Sequence, residues 1–300
     1  MKAAIDVGTN SVRLLVAEVT PDGLKPVMRE NKVTRLGAGV DQSRRLSEEA
    51  ITRTIRALRD LTIKIPPGVP RIALATSAVR DARNGLSFAR LAQEAIGVPL
   101  QILSGAREAE LSFMGAVFSL RSLDLQGPIT MLDIGGGSTE IYTGTPEGQL
   151  LGGGSAQVGA VRMLERCGSC ASSIEEEIER TLWPLVQETL GHHPANLVAV
   201  GGTATSLAAI IQNLDAYSDE AVTGVSFSLE EVRDSYAKLG RLSLKERRGL
   251  PSLQAGREDV IVPGAAILVK AAELLGFSRL YISAGDLLYG SLISSCINSS

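Results

Sequence analysis

Three hundred residues make about two domains at roughly 100 to 200 residues each, and a 44% hydrophobic fraction supplies a core for both, which excludes disorder as the main state. Thirty Lys and Arg against thirty-three Asp and Glu leave a formal charge of −3, so no global basic field recruits nucleic acid or an anionic membrane, and any polyanion must be held locally. The apolar stretches 197–211 and 260–269 are interrupted or too short for the ~20 residues of a membrane span, no signal-peptide core follows Met1-Lys2, and three cysteines make no disulfide framework, so the expected location is the cytoplasm.

In chain order, the apolar run from Lys2 to Ile5 ends at Asp6, and the polar turn Gly8-Thr9-Asn10-Ser11 leads into a second apolar run, Val12 to Val19. This predicts strand, turn and strand. Ser47, followed by Glu48 and Glu49, opens a helix with Ile51, Ile55, Leu58 and Thr62 on one face. A buried-type strand, Ile72 to Ala75, ends in the small loop Thr76-Ser77-Ala78, and a further helix is expected to begin near Ser104. The plan then repeats 127 residues on. Ile129 to Leu132 ends at Asp133, the turn Gly135-Gly136-Gly137-Ser138 leads through Thr139 and Glu140 into Ile141-Tyr142, and both hairpins run into matching turns, Thr20-Pro21-Asp22-Gly23 and Thr145-Pro146-Glu147-Gly148. Ser173 with Glu176 reads as a capping box before a stripe of Ile178, Leu182 and Leu185, with Trp183 assigned to the core. The strand Leu197 to Val200 ends in the loop Gly201-Gly202-Thr203-Ala204-Thr205. A hairpin duplicated at half the chain length predicts two related α/β domains, 1–126 and 127–300, with the boundary near Gly127-Pro128 and a cleft between the halves.

Turns rich in Gly and Ser after a strand aim backbone N–H groups into one concavity and bind phosphate without a lysine. An Asp at the strand end cannot attract phosphate, but it can hold Mg²⁺, which bridges to phosphoryl oxygens. Other nucleotide signatures, G-x-x-x-x-G-K-[ST] and a G-x-G-x-x-G after a strand, are missing. Cys167-Gly-Ser-Cys170 has C-x-x-C spacing, with His192 and His193 as the remaining candidates for a zinc site, but two ordinary reduced thiols are the preferred reading.

Six segments together resemble the exopolyphosphatase and guanosine pentaphosphate phosphatase family: Asp6 to Ser11, Ala75 to Ala82, Leu103 to Ala109, Asp133 to Glu140, Gly201 to Thr203 and Val262 to Gly264. The resemblance implies two ribonuclease H-like domains of the actin, sugar kinase and Hsp70 superfamily. It implies that Glu108 is the catalytic glutamate that activates a water against the terminal phosphoryl group. Asp133 and Glu140 match Mg²⁺-linked acidic positions, and Asp6, the acid at the first strand end, is a further metal candidate from its place alone. The segments Gly8, Thr9, Asn10 and Ser11, and Gly135, Gly136, Gly137 and Ser138, match two phosphate loops, to which Gly201, Gly202 and Thr203 add a third element. Arg13, Arg80 and Arg257 are candidates to face phosphate. The sequence departs from the family at Arg107, where relatives often carry a second glutamate, and at Gly285 to Gly290, which lacks the arginine of a Gly-Leu-Arg-Glu-Gly-like segment. The expected substrate is inorganic polyphosphate, guanosine pentaphosphate or both, with Mg²⁺ as cofactor, a homodimer as a family-level expectation and no nucleic-acid or membrane partner. An ATP-dependent small-molecule kinase and a non-catalytic polyphosphate or alarmone sensor are the alternatives.

Overall fold

The structure is a computed structural model and describes residues 1–20, 23–167 and 171–297. The chain begins with β1 (Lys2–Val7), β2 (Ser11–Thr20), β3 (Gly23–Val33), α1 (Val40–Ser43), α2 (Glu48–Thr62), β4 (Arg71–Ala75), α3 (Ser77–Asp81), α4 (Gly85–Ile96), β5 (Leu100–Ile102) and α5 (Gly105–Ser119). It continues with β6 (Ile129–Ile134), β7 (Thr139–Gly144), β8 (Leu150–Ala156), α6 (Ala160–Cys167), α7 (Ala171–Leu190), β9 (Asn196–Val200), α8 (Gly201–Ile211), α9 (Asp219–Val222), β10 (Ser226–Ser228), α10 (Leu229–Arg241), α11 (Leu244–Arg248), α12 (Ile261–Leu274), β11 (Arg279–Ile282) and α13 (Leu287–Ile297). No described helix is long and apolar enough to cross a membrane.

The chain forms two compact units. One is Met1–Ser112 together with the chain from Leu287 onward, and the other is Phe113–Asp286. This differs from the expected division after residue 126. α5 runs without a break through the unit boundary, and α13 returns to the first unit, where Leu288 and Leu292 pack on Ala4, Leu15 and Ala17 of β1 and β2. The segment Gly285 to Gly290 therefore supplies two core leucines, Leu287 and Leu288.

The first unit's sheet has the order β3-β2-β1-β4-β5, antiparallel among β1, β2 and β3 and parallel among β1, β4 and β5. The second repeats it as β8-β7-β6-β9-β11, with β10 added antiparallel beyond β11. The expected fold class, two related α/β units, is thus observed. The duplication also extends to a third strand, since β3 and β8 correspond. β3 escapes an alternation search because much of it is solvent-exposed, and β8 because three of its seven residues are glycine. Gly153 lies at φ +131°, and a Cβ there would meet the Ile141 carbonyl of the neighbouring strand at 2.2 Å.

Ser47 caps α2 as its side chain demands, accepting from the Ala50 N–H at 3.2 Å. The buried face centres on Ala50, Thr54, Leu58 and Leu61, with Ile51 and Ile55 partly buried at its flank. In α7 the core stripe is Ile174, Ile178, Leu182 and Val186. Trp183 falls a helical step of about 100° beyond Leu182 and is 44% exposed, which corrects its assignment to the core. α7 starts at Ala171, so Ser173 lies inside the helix and not at its cap. Pro21, Asp22, Gly168, Ser169 and Cys170 lie outside the described residues, and with them half of one repeated turn and of the C-x-x-C spacing.

Candidate functional site

Each unit collects its candidate residues where its parallel strands end, at β1, β4 and β5 in one and at β6 and β9 in the other, the usual location of ligands in open α/β sheets. The two hairpin loops are built alike. Gly8 N–H donates to Ser11 O at 3.0 Å, and Gly135 N–H donates to Ser138 O at 3.0 Å. A Cβ on Gly8 would lie 3.2 Å from Ser11 O, and one on Gly135 would lie 3.1 Å from Ser138 O, so both positions favour glycine for closeness of approach.

In the first unit, the loop carbonyls are tied back into the protein. Thr9 O accepts from Gly37 N–H at 2.9 Å, and Asn10 O accepts from the N–H groups of Thr34 at 3.0 Å and Arg35 at 2.8 Å. Thr9 Oγ1 shares a 3.0 Å hydrogen bond with Ser77 Oγ. With the carbonyls held, the N–H groups of Thr9 and Asn10 donate to nothing among the described residues, which is the backbone arrangement of an anion-binding nest. The Asn10 side chain is buried, and neither of its amide atoms has a hydrogen-bond partner in the protein. A buried amide left so is costly unless something else satisfies it. Gly37 keeps the latch tight, because a Cβ there would lie 2.3 Å from Thr9 Cγ2.

Asp6 lies within β1, not in the turn, directly opposite Arg13 of β2. Its Oδ2 accepts from Arg13 Nη2 at 2.6 Å and Nε at 2.9 Å. That ion pair gives Asp6 a cation from within the chain, and it places Arg13 on a carboxylate as well as beside the loop. Glu108 stands in the first turn of α5, where an acid is favoured by the helix dipole, and is 9% exposed. Its Oε2 accepts from Arg80 Nη1 at 2.7 Å, and the same nitrogen donates to Leu103 O at 3.2 Å. The segment expected as a loop at Thr76-Ser77-Ala78 is the start of α3, which carries Arg80 in its last turn.

The second unit repeats the loop with different supports. Gly135 O accepts from Ala160 N–H at 2.9 Å, and Gly136 O accepts from Val161 N–H at 2.9 Å and Arg162 N–H at 3.1 Å, so the loop carbonyls satisfy the open amides of α6. Arg162, buried, donates from Nε to Gly137 O at 2.6 Å. The N–H groups of Gly136 and Gly137 donate to nothing among the described residues. Neither glycine has a positive φ, so their value lies in open backbone, not in a left-handed turn. Asp133 lies in β6 directly opposite Glu140 of β7. Where the first unit pairs Asp with Arg, the second sets two carboxylates on one face of adjacent strands. Glu140 is buried and accepts from Ser155 Oγ at 2.6 Å.

The expected loop Gly201 to Thr205 is the first turn of α8. Gly201, at φ +81°, makes the turn out of β9, and a Cβ there would lie 2.7 Å from Asp133 Oδ1, which puts that carboxylate at the positive end of the α8 dipole. A Cβ on Gly202 would lie 1.8 Å from Arg257 Nη2, so the Arg257 guanidinium rests on bare backbone at that helix start. Thr203 is buried against Gly264 of α12, and a Cβ on Gly264 would lie 2.5 Å from Thr203 Oγ1. Gly264 thus lets α12 approach Thr203 closely. Among the described residues no group of three or more His, Cys, Asp or Glu side chains gathers into a metal site. His192 lies against β8, where a Cβ on Gly152 would meet its Nε2 at 2.2 Å.

Sequence reasoning passed over Gly37, Gly159 and Arg162, which hold the loops from behind, and Ser155, which donates to Glu140. Their only signal is small or charged residues beside a motif. Gly159 gives a direct test. A Cβ there would lie 2.5 Å from Gly136 O and 2.6 Å from the carbonyl carbons of Gly136 and Gly137, all of them backbone atoms that cannot swing away. Gly159→Ala is expected to cost about 1–3 kcal/mol by overpacking and to lower phosphate release by displacing the loop. Gly240→Ala is the control, since a Cβ there meets nothing within 4 Å on helix α10 and should raise stability by about 0.5–1 kcal/mol. Thermal melting and turnover that move alike in both variants would sink the role given to Gly159.

The Ppx/GppA phosphatase family matches residues 15–298 of the chain. Exopolyphosphatase 2 of Mycobacterium tuberculosis is 35% identical, with 97% of each chain covered. Among solved structures, an exopolyphosphatase-like protein superposes with a TM-score of 0.90 at 30% identity, covering 98% of this chain and 96% of the other. The Aquifex aeolicus member of the Ppx/GppA family superposes at 0.80 with 25% identity, covering 99% and 98%. With this architecture and these likenesses, the chain is a two-unit α/β phosphohydrolase. It belongs to the Ppx/GppA phosphatase family, as the motifs in its sequence imply.

Proposed function

We propose that the protein is a Mg²⁺-dependent phosphoanhydride hydrolase that releases terminal phosphate from inorganic polyphosphate, guanosine pentaphosphate or both, with Glu108 activating the attacking water. The observation that carries this reading is the repeated loop: Gly8 to Ser11 and Gly135 to Ser138 close with the same 3.0 Å bond and leave backbone N–H groups open in each unit. Such donors suit phosphoryl oxygens in a chain whose net charge is −3, because they attract an anion without any added cation. The unsatisfied amide of Asn10 adds a donor and an acceptor beside the first loop.

The donor set in the second unit fits a hard divalent ion. Asp133 and Glu140 are oxygen ligands on one face of paired strands, and Mg²⁺ is commonly held by one or two carboxylates, with water and substrate phosphate completing its shell. Asp6 does not fit, since Arg13 already neutralises it. Asp133 and Glu140 would hold Mg²⁺, which would supply positive charge to the transferring phosphoryl group. The chain's own residues do the rest. Loop amides orient the anhydride, and Glu108, buried and paired with Arg80, takes a proton from water as it attacks in line; the terminal phosphoryl group becomes inorganic phosphate and the shortened chain departs with the bridging oxygen.

The deciding experiment measures phosphate release from long polyphosphate, short polyphosphate, guanosine pentaphosphate and ATP, each with and without Mg²⁺. Release from a polyphosphate or from guanosine pentaphosphate that stops on chelation is the expected result. Phosphate transfer from ATP to a small molecule, or binding without turnover, would replace this reading with a kinase or a sensor.

A further inference from the structure

We infer that Arg80 is a positioning residue for Glu108, bridging its carboxylate to the carbonyl of Leu103, and not primarily a ligand of the phosphate. The inference rests on the reading of Glu108 as the base. Arg80 and Glu108 leave the ends of neighbouring parallel strands, β4 and β5, on α3 and α5. Arg80 Nη1 donates to Glu108 Oε2 at 2.7 Å and to Leu103 O at 3.2 Å, so a single nitrogen joins Leu103, which leads into α5 through Ser104, to the acid within the first turn of that helix. Leu103 is itself fixed: its N–H donates to Ala75 O at 2.9 Å, and its side chain is buried with Leu74, Leu111 and Leu287. Apolar packing thus anchors the start of α5 from one side while the guanidinium ties its carboxylate from the other.

Asp81 is a second carboxylate on the same guanidinium, 3.9 Å from Arg80 Nε, and on α5 Arg107 is engaged elsewhere, donating to Glu110 at 2.7 Å and to Ser294 Oγ at 3.0 Å. A base misplaced by about 1 Å loses on the order of 10² in rate, so a rigid tether for Glu108 has direct kinetic value. The planar, fixed guanidinium suits two acceptors at a set separation better than an ammonium does.

The test is the pH dependence of short-chain polyphosphate hydrolysis with Mg²⁺, for the unmodified protein and for Arg80→Ala, Arg80→Lys and Glu108→Gln. Arg80→Ala should lower kcat by roughly ten- to a hundredfold with KM within about threefold. Loss of the cation favours protonated Glu108, so the acidic limb of kcat/KM should move to higher pH. Arg80→Lys retains a cation and should return the limb to its original position while kcat stays depressed. A KM raised tenfold or more in Arg80→Ala, with kcat and the limb in place, would make Arg80 a phosphate ligand and overturn the proposal. Should Arg80→Ala fail to melt cooperatively, Arg80→Lys decides: a lower kcat at constant KM supports the tether, and a raised KM alone overturns it. Glu108→Gln separates the two levels. If it is inactive while Arg80 behaves as a phosphate ligand, only this inference falls; if it turns over normally, the base assignment falls first.

Discussion

Glu108→Gln is expected to lose roughly 10² to 10⁴ in turnover while phosphate affinity and fold survive. Gln keeps the length and planarity of Glu but cannot accept a proton near neutral pH, so the change removes the base and leaves the shape. The surroundings permit that separation. Arg80 can still donate to an amide oxygen in place of the carboxylate oxygen it meets at 2.7 Å, so the cost is the difference between a charged and a neutral acceptor, about 1 kcal/mol. The melting temperature should therefore fall by only about 2–4 °C. A rate loss of that size corresponds to roughly 3–5 kcal/mol of transition-state stabilisation, well above the structural cost. Arg107→Ala is the control, since Arg107 faces Glu110 and Ser294 with 41% of its side chain exposed. That surface pair is worth at most about 1 kcal/mol, and turnover should stay near normal. If Glu108→Gln kept wild-type turnover, another carboxylate would have to be the base.

The duplicated hairpins were legible because their signal is local. Apolar run, acid, small turn and apolar run occupy consecutive residues, and the interval of 127 repeats them. The continuation of each hairpin into β3 and β8 was not legible, because a strand exposed over much of its length and a strand of three glycines carry no alternating pattern. Small residues misled in another way: Gly201 to Thr205 reads as a loop, yet only Gly201 has left-handed backbone, and the helix begins at once. The candidate site was legible as residue types but not as partnerships. Asp6 and Asp133 occupy equivalent places, and only register shows that one faces Arg13 and the other Glu140. Arg80 is a phosphate candidate by residue type alone, and its bond to Glu108, 28 residues away on another element, is not legible in the sequence.

That difference in register leads to the second large effect. Asp133→Asn is expected to abolish most Mg²⁺-dependent turnover while leaving the metal-free protein as stable as before, or more so. Like charges directly opposite on paired strands are destabilising by some tenths of a kcal/mol to about 1 kcal/mol, and the Asn variant removes one of the two. Against this, Asp133 Oδ1 sits at the start of α8, where an anion is favoured by roughly 0.3–1 kcal/mol, and Asn keeps only the dipolar part of that gain. The two terms are similar in size, so melting without Mg²⁺ should shift by no more than about 1 kcal/mol. With Mg²⁺ they separate: ion binding to the folded protein adds RT ln(1 + [L]/Kd), about 2.7 kcal/mol at a hundredfold excess over Kd, and the variant should lose most of it. Arg13→Ala gives the converse in the first unit, where Asp6 would lose the cation that neutralises it at 2.6 Å and stability should fall without any change in the Mg²⁺ increment. The measurement is a set of melting curves over a Mg²⁺ titration, read beside phosphate release. An Asp133→Asn protein that kept the full Mg²⁺ increment would place the ion elsewhere. One that kept the increment and the turnover together would remove Asp133 from the chemistry altogether.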